Sequence, residues 1–428
     1  MNFASTLVRV GGPQYRVADG QMKYGIQLGM DIIDGMSEYY GYNYSDSFGP
    51  HGSKSDQIGI NQFSAGAMEN WGLVTYQEYL VYIKRDSNSA YESSLVSTAQ
   101  VFAHELQHQW TGNLITCTWW DEIWINEGFA DYGGYLGLQW AEPLWNWESE
   151  FVKAEFFTGL RADHAITSRP IINKQNNNGF KVDSPASLGA QFDMIAYAKS
   201  GSVLRMTIHV MTETRWQYGM RIYLNERKFT NTDGEIYFSY MQRTIEEVPA
   251  PDKKWDIPYS EYVNGVSPWN QTYDCWFRQM GYPVVHVRQR DNEIVLTQSR
   301  YLHSGPSEVL DQPESSLGYR WNIPVSYINQ NNDWKLDWML TTDQETRIEG
   351  TVGKDLWLDP EAHTFMRIHY GNAASFRTVS HCYIKTKTNV FVRLSMVYLA
   401  DPQVAYLQTS TILYHVLLWT SLNSRLHR

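Results

Sequence analysis

Two histidines four residues apart, His104 and His108, bracket a glutamate in the run His104-Glu105-Leu106-Gln107-His108. On a helix this spacing puts both imidazoles on one face, one turn apart, where they can share a zinc ion through ring nitrogens. Glu105 sits between them, near enough to the metal to take a proton from bound water without itself ligating. A third ligand, Glu127, follows His108 after 18 intervening residues, in the run Trp124-Ile125-Asn126-Glu127-Gly128. Two histidines and one carboxylate, with the fourth position open to water, make a catalytic zinc set and not a structural one. Asp131, one helical turn after Glu127, and Asp121, before it, are candidates to accept the distal N–H protons of the imidazoles. The bland alternative is a helix with two surface histidines and ordinary capping aspartates. That alternative leaves Glu127 unexplained.

These residues need two helices to carry them. Residues 94–112 read as the first, and a second lies within 123–140, beginning near Asn126. Further helical segments cover roughly 141–159, 186–210 and 212–228. Upstream, residues 1–18 read as a strand and a turn. Residues 22–28 alternate like a strand, but helical spacing of Ile26, Met30, Ile33, Met36 and Tyr40 predicts a helix over about 29–40. A Gly-, Ser- and Asp-rich loop follows over 41–56, then strands over 57–60 and 71–83. Pro- and Lys-containing connectors fill 249–268. From Val284 short alternating strands take over, with a turn at Asp291-Asn292. The pattern predicts an α+β protein: residues 1–283 a mainly helical domain with some strands, 284–373 a β domain, and 374–428 an atypical tail. Over residues 379–428 Asp401 is the only acidic residue, and no steady period of two or 3.6 appears.

With 43% hydrophobic and 19% charged residues the chain is globular and not disordered. Its 17 Trp and 29 Tyr predict aromatic-rich cores or a stacked groove. A net charge of −11 argues against nucleic acid, since nothing offsets phosphate repulsion. Cys117, Cys275 and Cys382 lack metal-ligand spacing and cannot form a disulfide framework. Two sequons, at Asn43 and Asn270, suit a lumenal or extracellular chain. The N-terminus has no apolar signal region, and the apolar stretch over 409–422 is too short and polar to span a bilayer.

The segments HELQHQWTGNLITCTWWDEIWINEGFADY and GAMENWGLVTYQEY resemble the zinc-site and amine-recognition motifs of the aminopeptidase N (membrane alanyl aminopeptidase) family. The first motif alone would also admit thermolysin-like endopeptidases; the pair is specific to this family. The resemblance runs from about residue 8 to 370. It implies a thermolysin-like zinc catalytic domain followed by a small β-sandwich. It also implies that Gly66, Ala67, Met68, Glu69 and Asn70 form the edge along which substrate lies as an added strand, with Glu69 pairing the free α-ammonium. Tyr197 matches the tyrosine that donates to the oxyanion. Ser200 stands where the family usually has glycine after the lysine. Ala65 resembles enzymes for neutral and basic side chains more than the acidic-selective branch.

The expected activity is release of N-terminal residues from peptides by metal-activated water, with one zinc per chain. A peptide with a free N-terminus is the expected partner, and a homodimer stays open. Family resemblance places the protein at the extracellular face of the plasma membrane; the alternative is cytoplasmic. Relatives of this kind carry a β-rich domain before the catalytic domain and a helical domain after the sandwich, and neither pattern is legible in this sequence. Rival readings are an endopeptidase, an epoxide hydrolase of the leukotriene type, and an impaired fragment that only binds peptides. The GAMEN run discriminates against the first.

Overall fold

The computed structural model describes residues 6–51, 53–84, 92–173, 182–250, 256–290, 293–303, 312–328, 333–349, 357–370, 380–385 and 391–396. It opens on β1 (Leu7–Gly11), the short helix α1 (Gln14–Ala18) and the long helix α2 (Lys23–Tyr40). Helix α2 begins six residues before the expected 29. Tyr24, Leu28, Ile32 and Met36 keep four-residue spacing and are all buried, so the same residues that alternate like a strand also complete a helical stripe. Gly41, with φ 63°, ends the helix in the left-handed conformation.

A 3₁₀ turn follows, and then β2 (Lys54–Ile60), β3 (Ala67–Met68), β4 (Leu73–Gln77) and α3 (Glu78–Val81). The strand expected over 71–83 thus splits into β4 and α3. These strands form one sheet in the order β1-β2-β4-β3, with β3 antiparallel to β4 at the edge and the other pairs parallel. Next come α4 (Glu92–Gln107), β5 (Ile115–Cys117) and α5 (Trp124–Ala141), which starts two residues earlier than expected. The helical half continues through α6 (Trp147–Phe151), a π-helical turn over Val152–Phe156, α7 (Phe157–Ala162) and α8 (Pro185–Gly189). A second π-helical turn, Ile195–Lys199, runs into α9 (Ser200–Met211) and α10 (Glu213–Arg227). Then β6 (Thr230–Thr232), α11 (Gly234–Glu247) and α12 (Pro268–Phe277) close this half, β6 pairing in parallel with β5.

The β half begins with β7 (Pro283–Arg290) antiparallel to β8 (Glu293–Arg300). The Asp291-Asn292 turn expected between them lies outside the described residues. Strands β9 (Ile323–Ile328), β10 (Trp334–Met339), β11 (Thr346–Glu349), β12 (Trp357–Leu358) and β13 (Arg367–Tyr370) complete two sheets, in the orders β11-β8-β7-β13 and β10-β9-β12. In the tail, β14 (Ser380–Lys385) pairs only with β15 (Phe391–Met396) among the described residues.

The predicted aromatic core is present. Trp110, Trp124, Trp216, Trp269, Trp276 and Trp321 are all completely buried. The two halves are joined by packing and hydrogen bonds: Trp276 Nε1 donates to the Asn322 carbonyl at 2.9 Å, Arg205 donates to the Ala362 carbonyl at 2.6 Å, and Phe156 meets Phe365 edge-on. No helix of the described residues is long and apolar enough to cross a membrane.

Candidate metal centre and active site

Helices α4 and α5 lie closer together than ordinary side chains allow. A Cβ on Gly134 would sit 3.1 Å from the His104 backbone nitrogen, one on Gly133 would sit 2.5 Å from Gln107, and one on Gly137 would sit 3.0 Å from the Ala103 Cβ. The glycines therefore form the face of α5 on which the metal-motif helix rests. His108 falls one residue beyond α4, yet its N–H still bonds the His104 carbonyl at 3.2 Å, so helical geometry persists through the second histidine.

This contact brings together the three ligands expected from the sequence. The Nε2 atoms of His104 and His108 lie 3.1 Å apart, and Glu127 Oε2 is 3.4 Å from the first and 3.3 Å from the second. Ligands around a tetrahedral zinc at about 2.0–2.1 Å would be separated by about 3.4 Å. The donor set fits that ion in chemistry and in size, and all three residues are buried. Burial opposes ionisation of Glu127, but the two imidazoles outweigh it and hold its carboxyl well below the usual range.

Orientation of the imidazoles comes partly from unexpected groups. Asp131 Oδ1 stands 3.6 Å from His104 Nδ1, in the place proposed for it. His108 Nδ1 instead faces the backbone carbonyl of Thr111 at 3.0 Å, so the structure gives to a carbonyl the place for which Asp121 was a candidate. Gly112 makes this turn feasible: at φ 143°, a Cβ there would fall 2.9 Å from His108 Nδ1. Asp121 sits in the 3₁₀ turn Trp120–Glu122 that leads into α5.

Glu105 is buried, and its Oε2 finds no hydrogen-bond partner among the described residues. Burial, reinforced by the charges of Glu69 and Glu127 and opposed by the two histidines, lifts its carboxyl to about 7. Tyr197 lies in the π-helical turn, its ring stacked on that of His104 with centroids 6.0 Å apart and planes at 8°. Burial, with the Glu127 charge, raises its phenol, which keeps the O–H available as a donor. Asp193 holds the start of this turn by accepting from the N–H groups of Ile195 and Ala196. Glu69 follows the edge strand β3, its Oε1 3.9 Å from His108 Nδ1, so the carboxyl group reaches the metal site from the sheet side.

A family description, "Peptidase family M1 domain", matches residues 24–254, which span strands β2, β3 and β4, the α4–α5 pair and the turn bearing Tyr197. The chain belongs to peptidase family M1. It is 32% identical to the aminopeptidase Ey of Gallus gallus over 374 residues, an overlap covering 86% of this chain and 35% of that protein. It is also 33% identical to an aminopeptidase N of Bos taurus over 333 residues, covering 78% of this chain and 32% of the relative. A glutamyl aminopeptidase of Bos taurus is 32% identical over 351 residues, covering 81% of this chain and 32% of the relative. The chain thus spans about a third of the length of these M1 relatives.

Within this M1 site, Ser200 finds its physical account. The residue is fully buried, its hydroxyl donates back to the Ala196 carbonyl at 2.5 Å, and a Cβ on Gly128 would fall 2.0 Å from its Oγ. The serine fits because Gly128, next to the ligand Glu127, has no side chain. Sequence reasoning did not single out Gln109, Thr111 or Asn113, although all three lie within five residues of His108 in the same motif. Their importance comes from what their amides and carbonyls face, which spacing does not reveal.

Proposed function

We propose that this chain carries the catalytic centre of a zinc-dependent aminopeptidase that releases N-terminal residues from peptides. The observation that carries this reading is the joint placement of three ligand atoms at tetrahedral separations, a buried glutamate beside them whose Oε2 has no hydrogen-bond partner among the described residues, and Glu69 within 4 Å of His108. Names of the M1 relatives support the exopeptidase class.

His104, His108 and Glu127 would hold the ion. A zinc ion bound there supplies an acidified water and a Lewis acid for the scissile carbonyl. Glu105 takes the proton of the attacking water on its carboxylate and passes it to the nitrogen of the departing peptide as the C–N bond breaks. Tyr197 donates its O–H to the carbonyl oxygen as negative charge gathers there. Glu69 pairs with the substrate α-ammonium, beside the edge formed by Gly66, Ala67, Met68 and Asn70, and so fixes the register of the first residue. Ala65, small and apolar, favours neutral or basic over acidic first residues.

On this reading, residues 1–283 form the thermolysin-like catalytic domain and 284–373 a small β-sandwich, with 374–428 a separate tail. Resemblance supports a site of action at the extracellular face of the plasma membrane.

The test compares peptides with free and N-acetylated first residues in the zinc-loaded full-length protein. Free-amine peptides should be strongly preferred. Glu69→Ala should lower their kcat/KM by several kcal/mol in transition-state terms (order of magnitude for a partly buried charge pair). Efficient cleavage of acetylated peptides by the unmutated protein would point to an endopeptidase instead.

A further inference from the structure

We infer that Gln109 and Asn113 are positioning residues that fix the amine anchor, Glu69, to the metal-motif helix. This inference rests on reading Glu69 as the partner of the substrate ammonium. Strand β3 pairs with β4 through only two residues, Ala67 with Tyr76 and Met68 with Thr75. Glu69 lies just beyond that ladder, so sheet hydrogen bonds do not hold its carbonyl. Two side-chain amides from the metal side take their place: Asn113 Nδ2 donates to the Glu69 carbonyl at 2.8 Å and Gln109 Nε2 at 3.1 Å.

Gln109 does more than one job with the same amide. Its Nε2 also donates to the carbonyl of Glu105 at 3.1 Å, and its Oε1 accepts from the Gly72 N–H at 3.4 Å. Both N–H donors and one of the two acceptor sites of a nearly inaccessible amide, 2% exposed, are thereby engaged, which leaves one orientation for it. One amide group bridges the main chains of the proposed base and the proposed anchor. The Glu105 carbonyl, two residues before the last residue of α4, gains a side-chain donor in the process.

Asn113 is set by the turn that also orients His108. Its N–H bonds the His108 carbonyl at 2.9 Å, and the Thr116 hydroxyl bonds the Gly112 carbonyl at 2.6 Å. The distance between metal and ammonium site is thus defined by residues 108–116, and not by the two-residue edge strand. A misplacement of about 1 Å at such a site has a large effect on rate.

The experiment uses the full-length, zinc-loaded protein carrying Glu105→Gln, to silence turnover, and titrates it with L-leucinamide and N-acetyl-L-leucinamide by calorimetry. Asn113→Ala and Gln109→Ala should each weaken leucinamide binding roughly tenfold while leaving the acetylated ligand and the zinc content unchanged. In a Glu69→Ala background, the same substitutions should have no further effect on leucinamide, because they act only through the anchor. Asn113→Leu and Gln109→Met, which approximate the shape but lose the donor without adding a charge, replace the alanine variants if those lose zinc or fold poorly. Equal weakening of both ligands, or no weakening while Glu69→Ala abolishes the preference for the free amine, would overturn the positioning role alone. Glu69→Ala that leaves the preference intact would overturn the anchor reading beneath it.

Discussion

At the scale of single residues, the proposed function assigns holding the metal and moving the proton to different carboxyl groups. Glu127 is held charged between two imidazoles, whereas Glu105, one residue from a ligand, is buried with its carboxyl lifted to about 7 and its Oε2 without a hydrogen-bond partner among the described residues. A buried carboxyl group with an open oxygen beside the metal ligands suits a base that must also give the proton back. Glu105→Gln should therefore keep one zinc per chain and lose at least about three orders of magnitude in kcat, while His104→Ala should lose the metal. Metal analysis beside steady-state kinetics separates the two; loss of zinc in Glu105→Gln would mean that the roles are misassigned.

At the scale of elements, the site depends on close helix contacts that only small residues permit. Gly128 of α5 and Ser200 at the start of α9 form one such contact, with a Cβ-to-Oγ separation of 2.0 Å waiting for any larger residue. Gly128→Ala should destabilise the protein by about 1–3 kcal/mol, as overpacking of a full core does. Because Gly128 adjoins Glu127, zinc affinity should fall as well. Ser200→Gly removes the hydroxymethyl group that the new methyl would strike, so the double variant should recover most of the loss in both chemical denaturation and metal binding. Additive losses would place the strain elsewhere, for example at the Ala196 carbonyl, 3.4 Å from the same Cβ.

At the scale of the whole molecule, the helical and β halves meet where α9 faces the loop before β13. His209 of α9 stacks on His363 with centroids 3.7 Å apart, and Asp359 accepts from the backbone N–H groups of His363 and Thr364. Burial, then the Arg205 charge, lowers His209 from 6.5 to about 4, and the same causes, with His209 itself, lower His363. Both groups are neutral in the fold but protonate in the unfolded chain, so the stability they contribute above 6.5 is lost as pH falls toward 4. Asp359 works in the opposite sense: burial, against its backbone donors, raises it from 3.8 to about 6, so its contribution is present at low pH and lost as pH rises through 6. Relative to the unmutated protein, His209→Gln should therefore lose less, or gain more, melting temperature between pH 7 and 5; an identical pH profile would remove His209 from the cause.

The tail makes the second prediction at this scale. Its hairpin β14–β15 pairs with no other sheet among the described residues. Deleting residues 379–428 should leave the circular dichroism and melting temperature nearly unchanged, and a large drop would show that the tail belongs to the β half.

The sequence by itself marked His104, His108 and Glu127 as a candidate metal set and Glu105 as a candidate base, because chemistry restricts those residue types and helix geometry fixes the spacing of His104 and His108, whereas Glu69 was marked only by the family resemblance. It also marked a mainly helical half, with some strands, ahead of a β half, since the hydrophobic period changes near residue 283. Periodicity could not decide where α2 begins, because Tyr24 and Leu28 satisfy both periods until the surface they bury against is known. Nor could it choose between Asp121 and the Thr111 carbonyl for His108, since every residue offers a carbonyl and only the fold aims one. Ser200 looked like a departure until Gly128 was beside it, and Gln109 and Asn113 looked like ordinary polar residues until Glu69 was beneath their amides. Local chemistry is carried by residue type and spacing, whereas contacts between residues far apart in the chain exist only once tertiary packing has brought their backbones within hydrogen-bond reach.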